Sequence, residues 1–152
     1  MTTNAYVRQV LESRLENLYG ELDEIVTAYW TEVLEMEKKM GGGKNRNKLR
    51  LRGVKENNIM RADWVGIEWT GKTKEGKLFD KKVHITKPAD SFSYTLSKLY
   101  KFAHEWEKEL VEKTESKLSG IRQEGHHLTR ALLSIGFAEV AEAKRRAKAE
   151  KV

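Results

Sequence analysis

Residues 41–53 read GGGKNRNKLRLRG, the first stretch whose residue types and spacing suggest chemistry. Three glycines followed by Lys44 resemble a loop that cradles phosphate. A P-loop, however, needs G-x-x-x-x-G-K-[ST], so that backbone amides wrap the phosphates and a hydroxyl reaches magnesium. Asn45 stands where that hydroxyl must be, no glycine has the required spacing, and no buried apolar strand leads in. The nucleotide cradle is set aside. What remains is a linker, or a surface built for a polyanion.

Other catalytic constellations fare no better. The histidines are His84, His104, His126 and His127. Neighbouring residues on a helix diverge by about 100°, so His126 and His127 cannot chelate one metal together, and His104 lies about six turns away. With no cysteine, disulfides and thiolate metal sites are excluded. Tyr6, Tyr19, Tyr29, Tyr94 and Tyr100 sit in helical patterns as packing residues. The His-hydrophobic-His pair with a catalytic tyrosine, used by strand-transfer nucleases, is absent. So are the nucleophile elbow, the zincin helix and the dinucleotide fingerprint. The expectation is a protein without catalytic function, metal or cofactor.

Charge placement says more. The net charge is +6 over 152 residues. Residues 1–37 carry 2 basic and 8 acidic side chains, residues 38–87 carry 15 and 5, and residues 88–152 carry 12 and 10. A uniform excess would serve solubility; a block of +10 in the middle third suggests a place where phosphates sit. The composition, 39% apolar and 34% charged, is too apolar for disorder and too charged for an enzyme with deep pockets. No apolar run approaches a membrane span, and the first twenty residues lack a signal-peptide core. The expected setting is the cytoplasm, with no membrane partner.

The elements that must position these charges follow from periodicity. Leu11, Leu15, Leu18, Leu22, Ile25, Tyr29, Val33, Met36 and Met40 recur three and four apart, which predicts a helix over 4–40 with a coiled-coil seam. Thr3 or Asn4 would cap it, Lys38 and Lys39 suit the negative end of its dipole, and Gly41–Gly43 would stop it as a flexible hinge. A three-stranded antiparallel meander over 48–86 follows. Its strands are 48–54, 59–70 and 77–86, with a tight turn at Asn57–Asn58 and a second turn in GKTKEGK. Val65, Ile67 and Trp69, then Phe79, Val83 and Ile85, mark its apolar face. Pro88 ends the sheet, and Asp90 or Ser91 would cap a second long helix over 91–136. The glutamates from Glu105 to Glu115 read as a solvated face with pairs such as Glu109–Lys113. A frayed basic tail, 138–152, completes a single α+β domain of two long helices flanking the sheet.

Side chains of a strand alternate faces. Leu49 and Leu51 would point to the core, and Lys48, Arg50 and Arg52 to the other side with Arg46 and Lys44. Lys72 and Lys74 in the second turn, Lys82 on the third strand, and Trp64 would extend that face, the indole packing on guanidinium groups or contacting a sugar or base. A linker has no need of such alternation, although charge can also protect an edge strand. The nine residues together are the candidate nucleic-acid surface.

The run SFSYTLSKLYKFAHEWEKELVEKTESKLSGIRQEGHHLTRALLSIGF resembles the C-terminal helix of MobI-type conjugative transfer proteins, and the preceding WVGIEWTGK and HITKP are similar to theirs. The resemblance spans about residues 60–137 and is closest at Trp64, Trp69, Lys72 and Lys87–Pro88. The triglycine segment and the basic tail have no counterpart in it. It implies an accessory role at the origin of transfer, helping a relaxase begin DNA processing, and carries over no catalytic residue. Two readings stand: a DNA-binding accessory factor, active as a dimer, and a helical inhibitor or scaffold that binds protein through its coiled-coil seam.

Overall fold

The computed structural model of the chain describes residues 2–56, 59–72 and 78–151. Helix α1 (Thr3–Lys39) leads to a short 3-10 turn (Gly43–Asn45), and strands β1 (Leu49–Glu56), β2 (Ile59–Lys72) and β3 (Leu78–His84) follow. Helices α2 (Leu96–Tyr100) and α3 (Glu105–Glu150) complete the order. The turn at Asn57–Asn58 and residues 73–77, Lys74 among them, lie outside the described residues, as do the side chains of Lys72 and Phe79. Among the described residues no helix is long and apolar enough to cross a membrane.

Helices α1 and α3 pack antiparallel within one chain. Arg14 Nε bonds Glu124 Oε2 at 2.6 Å, Arg8 pairs with Glu139, and Asn4 Nδ2 reaches Glu142 Oε2 at 2.9 Å. At 1.5 Å per residue they run about 55 and 69 Å. Of the expected seam of α1, Leu15, Leu18, Leu22, Tyr29 and Val33 are buried, Leu11, Ile25 and Met36 are half-buried, and Met40, beyond the helix end, is exposed. Thr2, one residue before the expected cap, accepts from the Ala5 amide. The three glycines do not form a loose hinge. All have φ between 57° and 86°, and the Gly41 and Gly42 amides return to the Lys38 and Glu37 carbonyls. Such φ values are strained for any residue with a Cβ.

The sheet has the order β1-β2-β3, both pairs antiparallel. Its inner face lies on the hairpin, where Leu49, Leu51, Ala62 and Trp64 join Leu22, Tyr29, Val33, Val111 and Leu118 in the core. The Tyr29 and Trp64 rings meet edge to face at 5.0 Å. The expected phase of β2 is reversed here. Leu51 pairs with Trp64 and Gly53 with Ala62, so the even-numbered residues face inward, while Val65, Ile67 and Trp69 share the outer face. Burying the indole of Trp64 on the helices outweighs burying Val65.

The single helix expected over 91–136 is broken. Ser91 Oγ bonds the Ser93 amide at 3.1 Å, and the Tyr94 amide donates to Glu115 Oε2 at 2.5 Å, so neither amide serves a helix. α3 starts afresh at His104, whose amide donates to Glu107 Oε2 at 2.7 Å. The tail is not frayed but continues α3 to Glu150, held at its start by the contacts of Glu139 and Glu142 with α1.

The glutamate run is not simply a solvated face. Glu115 is buried, accepting from Trp64 Nε1 at 2.9 Å and pairing with Arg122 at 2.8 Å. Arg122 also donates to the carbonyls of Ala62 and Phe92, stitching α3 to β2 and to the loop after β3. Lys113 approaches Glu32 on α1, at 3.7 Å.

Candidate nucleic-acid interface

Residues 46–52 present their charges as the alternation requires. Continuing the β1–β2 register past Leu49 sets Arg46 opposite Trp69 and Lys48 opposite Ile67, with Arg50 opposite Val65 and Arg52 opposite Asp63. The next strand adds Asp80 beside Trp69, Lys82 beside Ile67 and His84 beside Val65. Arg46, Lys48, Arg50, Arg52 and Lys82 therefore share the outer face of the sheet, against the carboxylates Asp63 and Asp80.

Their surroundings differ. The Arg46 guanidinium lies 5.0 Å from the centre of the Trp69 ring, whose Nε1 donates to the Asn47 carbonyl at 3.0 Å. Arg50 Nη1 meets Asp80 Oδ2 at 2.7 Å, an ion pair crossing β2 above Ile67. Ile67 is 1% exposed although it faces away from the helices. Arg52, Lys82 and Lys44 are exposed, the last in the 3-10 turn. Trp64 leaves the candidate set: it is fully buried on the inner face and cannot touch sugar or base. The aromatic ring on the basic face is Trp69. Lys72 closes β2, and Lys74 lies outside the described residues.

Glu107 ties this surface to α3. Its Oε1 accepts from the Lys48 amide at 2.7 Å, and its Oε2 takes the His104 amide. Burial pushes its pKa up to about 7, against the two amides and the Lys48 charge. His104 Nε2 sits 3.0 Å from the Arg46 carbonyl. Burial first, then Lys48, holds that imidazole below its ordinary value.

The α2–α3 connection also brings Lys101 and Phe102 to the edge of the basic region, beside Lys44, Lys48 and Trp69. Both residues were hidden inside an assumed continuous helix. The signal for them was the His104–Glu107 spacing, an x-x-E capping pattern with an unusual first residue. His126 and His127 both flank the Phe92 ring, at 5.4 and 6.2 Å.

A helical hairpin backing a small three-stranded antiparallel sheet makes this an α+β protein. The family model described as MobI protein matches residues 18–136, and the chain belongs to the MobI family. Membership places it among accessory proteins of conjugative mobilisation, a family not known for catalysis. No curated protein and no solved structure shows significant similarity to the chain.

Proposed function

We propose that the chain serves mobilisation as a DNA-binding accessory protein at the origin of transfer, where it acts with the relaxase. The observation that carries this reading is the outer sheet face, where alternate residues Arg46, Lys48, Arg50 and Arg52 stand in register with Lys82. Spacing of about 7 Å between alternate residues of a strand is comparable to that of phosphates along a DNA strand. Lys44, Lys72 and Lys74 extend the same basic block.

The test is the salt dependence of binding to origin DNA. Each phosphate contact on duplex DNA contributes about −0.9 to the slope of log K against log salt. Changing Arg46, Arg52 and Lys82 to Gln flattens the slope by up to about three contacts. Removing Lys144, Arg145 and Arg146 has a smaller effect, because Arg146 pairs with Glu142 and all three lie on the far part of α3. Equal loss from both triple variants reduces the interface to generic charge. No binding at low salt removes the DNA reading.

The protein-interaction reading retains one observation. Leu133, Phe137 and Val140 form an exposed stripe on α3. We assign it to pairing with a second copy, so that the DNA-binding form is a homodimer working in the cytoplasm.

A further inference from the structure

A groove of about 730 Å³ opens where β1 begins, between the 3-10 turn and the α2–α3 connection. Lys44 and Lys48 line it from one side, Lys101 and Phe102 from the other, and β2 contributes Trp69 and Glu68. Three lysines, one glutamate and two aromatic residues thus line one groove.

The lining is held in place. Trp69 is fixed by its bond to the Asn47 carbonyl and by the Arg46 guanidinium. The Phe102 ring lies against Gly66, where an added Cβ would come within 2.6 Å of it. The two sides are joined by the Glu107 carboxylate, which accepts the Lys48 amide from one and the His104 amide from the other.

Aromatic faces beside lysines suit a nucleotide whose base is unstacked, because the ring takes the base and the ammonium groups take the flanking phosphates. A duplex keeps its base faces covered and is too wide to enter. The volume falls in the range of sites for single small ligands. We propose that this groove holds an unpaired nucleotide of single-stranded DNA, with its base against Phe102 and its phosphates at Lys44, Lys48 and Lys101. The inference rests on the DNA-binding reading above and adds a second, strand-selective site at the end of the sheet.

The experiment measures fluorescence anisotropy of labelled oligo(dT) and of a duplex of equal length with the full chain. Changing Lys44 and Lys101 to Gln together, both exposed, lowers oligo(dT) affinity by about tenfold at low salt and flattens its slope by about 1.4, two contacts at the single-strand value. Duplex affinity falls less. Phe102→Leu keeps a side chain over Gly66 but removes the π face, and lowers oligo(dT) affinity about fivefold or more. A charge-matched control, Lys117 and Arg130 to Gln, falls less than the Lys44/Lys101 variant. Equal falls for oligo(dT) and duplex, or for variant and control, overturn the groove. Duplex binding without oligo(dT) binding overturns the groove and leaves the DNA reading standing. Binding to neither ends both.

Discussion

Arg50 on β1 reaches over the central strand to Asp80 on β3, with 2.7 Å between Nη1 and Oδ2. The pair caps Ile67 and withholds one arginine from the row of cations that surrounds it. Asp80→Asn releases that arginine and removes a negative charge from the face. Duplex affinity is expected to rise and the salt slope to steepen by about 0.9, one added contact. The pair is about one-third exposed on both sides, so the stability lost is at most about 1 kcal/mol. Weaker binding by the Asp80→Asn protein would mean that DNA does not meet this face.

Glu115 and Arg122 form the buried hub of the fold. Their side chains are 4% and 7% exposed, and they share the Tyr94 and Trp64 donors and the Ala62 and Phe92 carbonyls. Glu115→Ala strands the Arg122 guanidinium and the indole N–H without water or charge. A loss of about 3–5 kcal/mol is expected, read as a lower urea midpoint. Glu115→Ala together with Arg122→Met recovers part of it, since removing both charges ends the desolvation cost. No recovery in the double variant would place the loss in the Trp64 and Tyr94 bonds alone.

Glu107 makes stability depend on pH in an unusual direction. Its carboxyl has an ordinary value of 4.5 and is pushed up to about 7 in the fold. The folded state then binds the proton more tightly than the unfolded chain. The contribution is fully present below 4.5 and is lost as pH rises through 7, by up to about 3 kcal/mol. His104, held below 6.5, acts oppositely: its neutral form is favoured, and stability is lost as pH falls below 6.5. The difference between wild type and Glu107→Gln isolates the carboxylate. That difference should shrink between pH 4.5 and 7. A flat difference would show that the two amide bonds hold Glu107 ionised throughout.

The parts of this structure that were legible in the sequence are those where one pattern has one solution. Leu49 and Leu51 alternate with cations, so β1 has a single inward face, and the seam from Leu15 to Val33 has no competing stripe. β2 offers apolar residues in both phases, Met60, Ala62 and Trp64 against Val65, Ile67 and Trp69. Only the pairing of Leu51 with Trp64 decides between them. Glu107 and Glu115 resemble their solvated neighbours because what buries them is the Lys48 amide and the Trp64 indole, contributed by distant strands. The end of α3 looked loose for the same reason, since its partners Asn4 and Arg8 lie at the other end of the chain. The groove required the break before His104, which no apolar period reports.

The far end of the hairpin leads to the last expectation. Leu133, Phe137 and Val140 lie at spacings of four and three on α3, and are 61%, 66% and 54% exposed. Arg8 and Glu12 of α1 border the same apolar groove. A helix stripe of this kind is normally covered. Nearer the α3 N-terminus the sheet packs on the hairpin, but the described sheet residues do not line this far groove. A second copy related by a two-fold axis would bring the same stripe against it, closing a four-helix arrangement. Sedimentation equilibrium at tens of micromolar should therefore give twice the 17.6 kDa chain mass. Phe137→Glu should give the chain mass itself, with unchanged circular dichroism because the ring makes little contact within the chain. On the proposed DNA-binding reading it should also weaken DNA binding, since a dimer would bring two basic faces to one DNA molecule and the second contact would profit from the first. A wild-type protein sedimenting only at the chain mass would leave the stripe for a partner other than itself. A monomeric Phe137→Glu variant with undiminished affinity would show that a single basic face is sufficient.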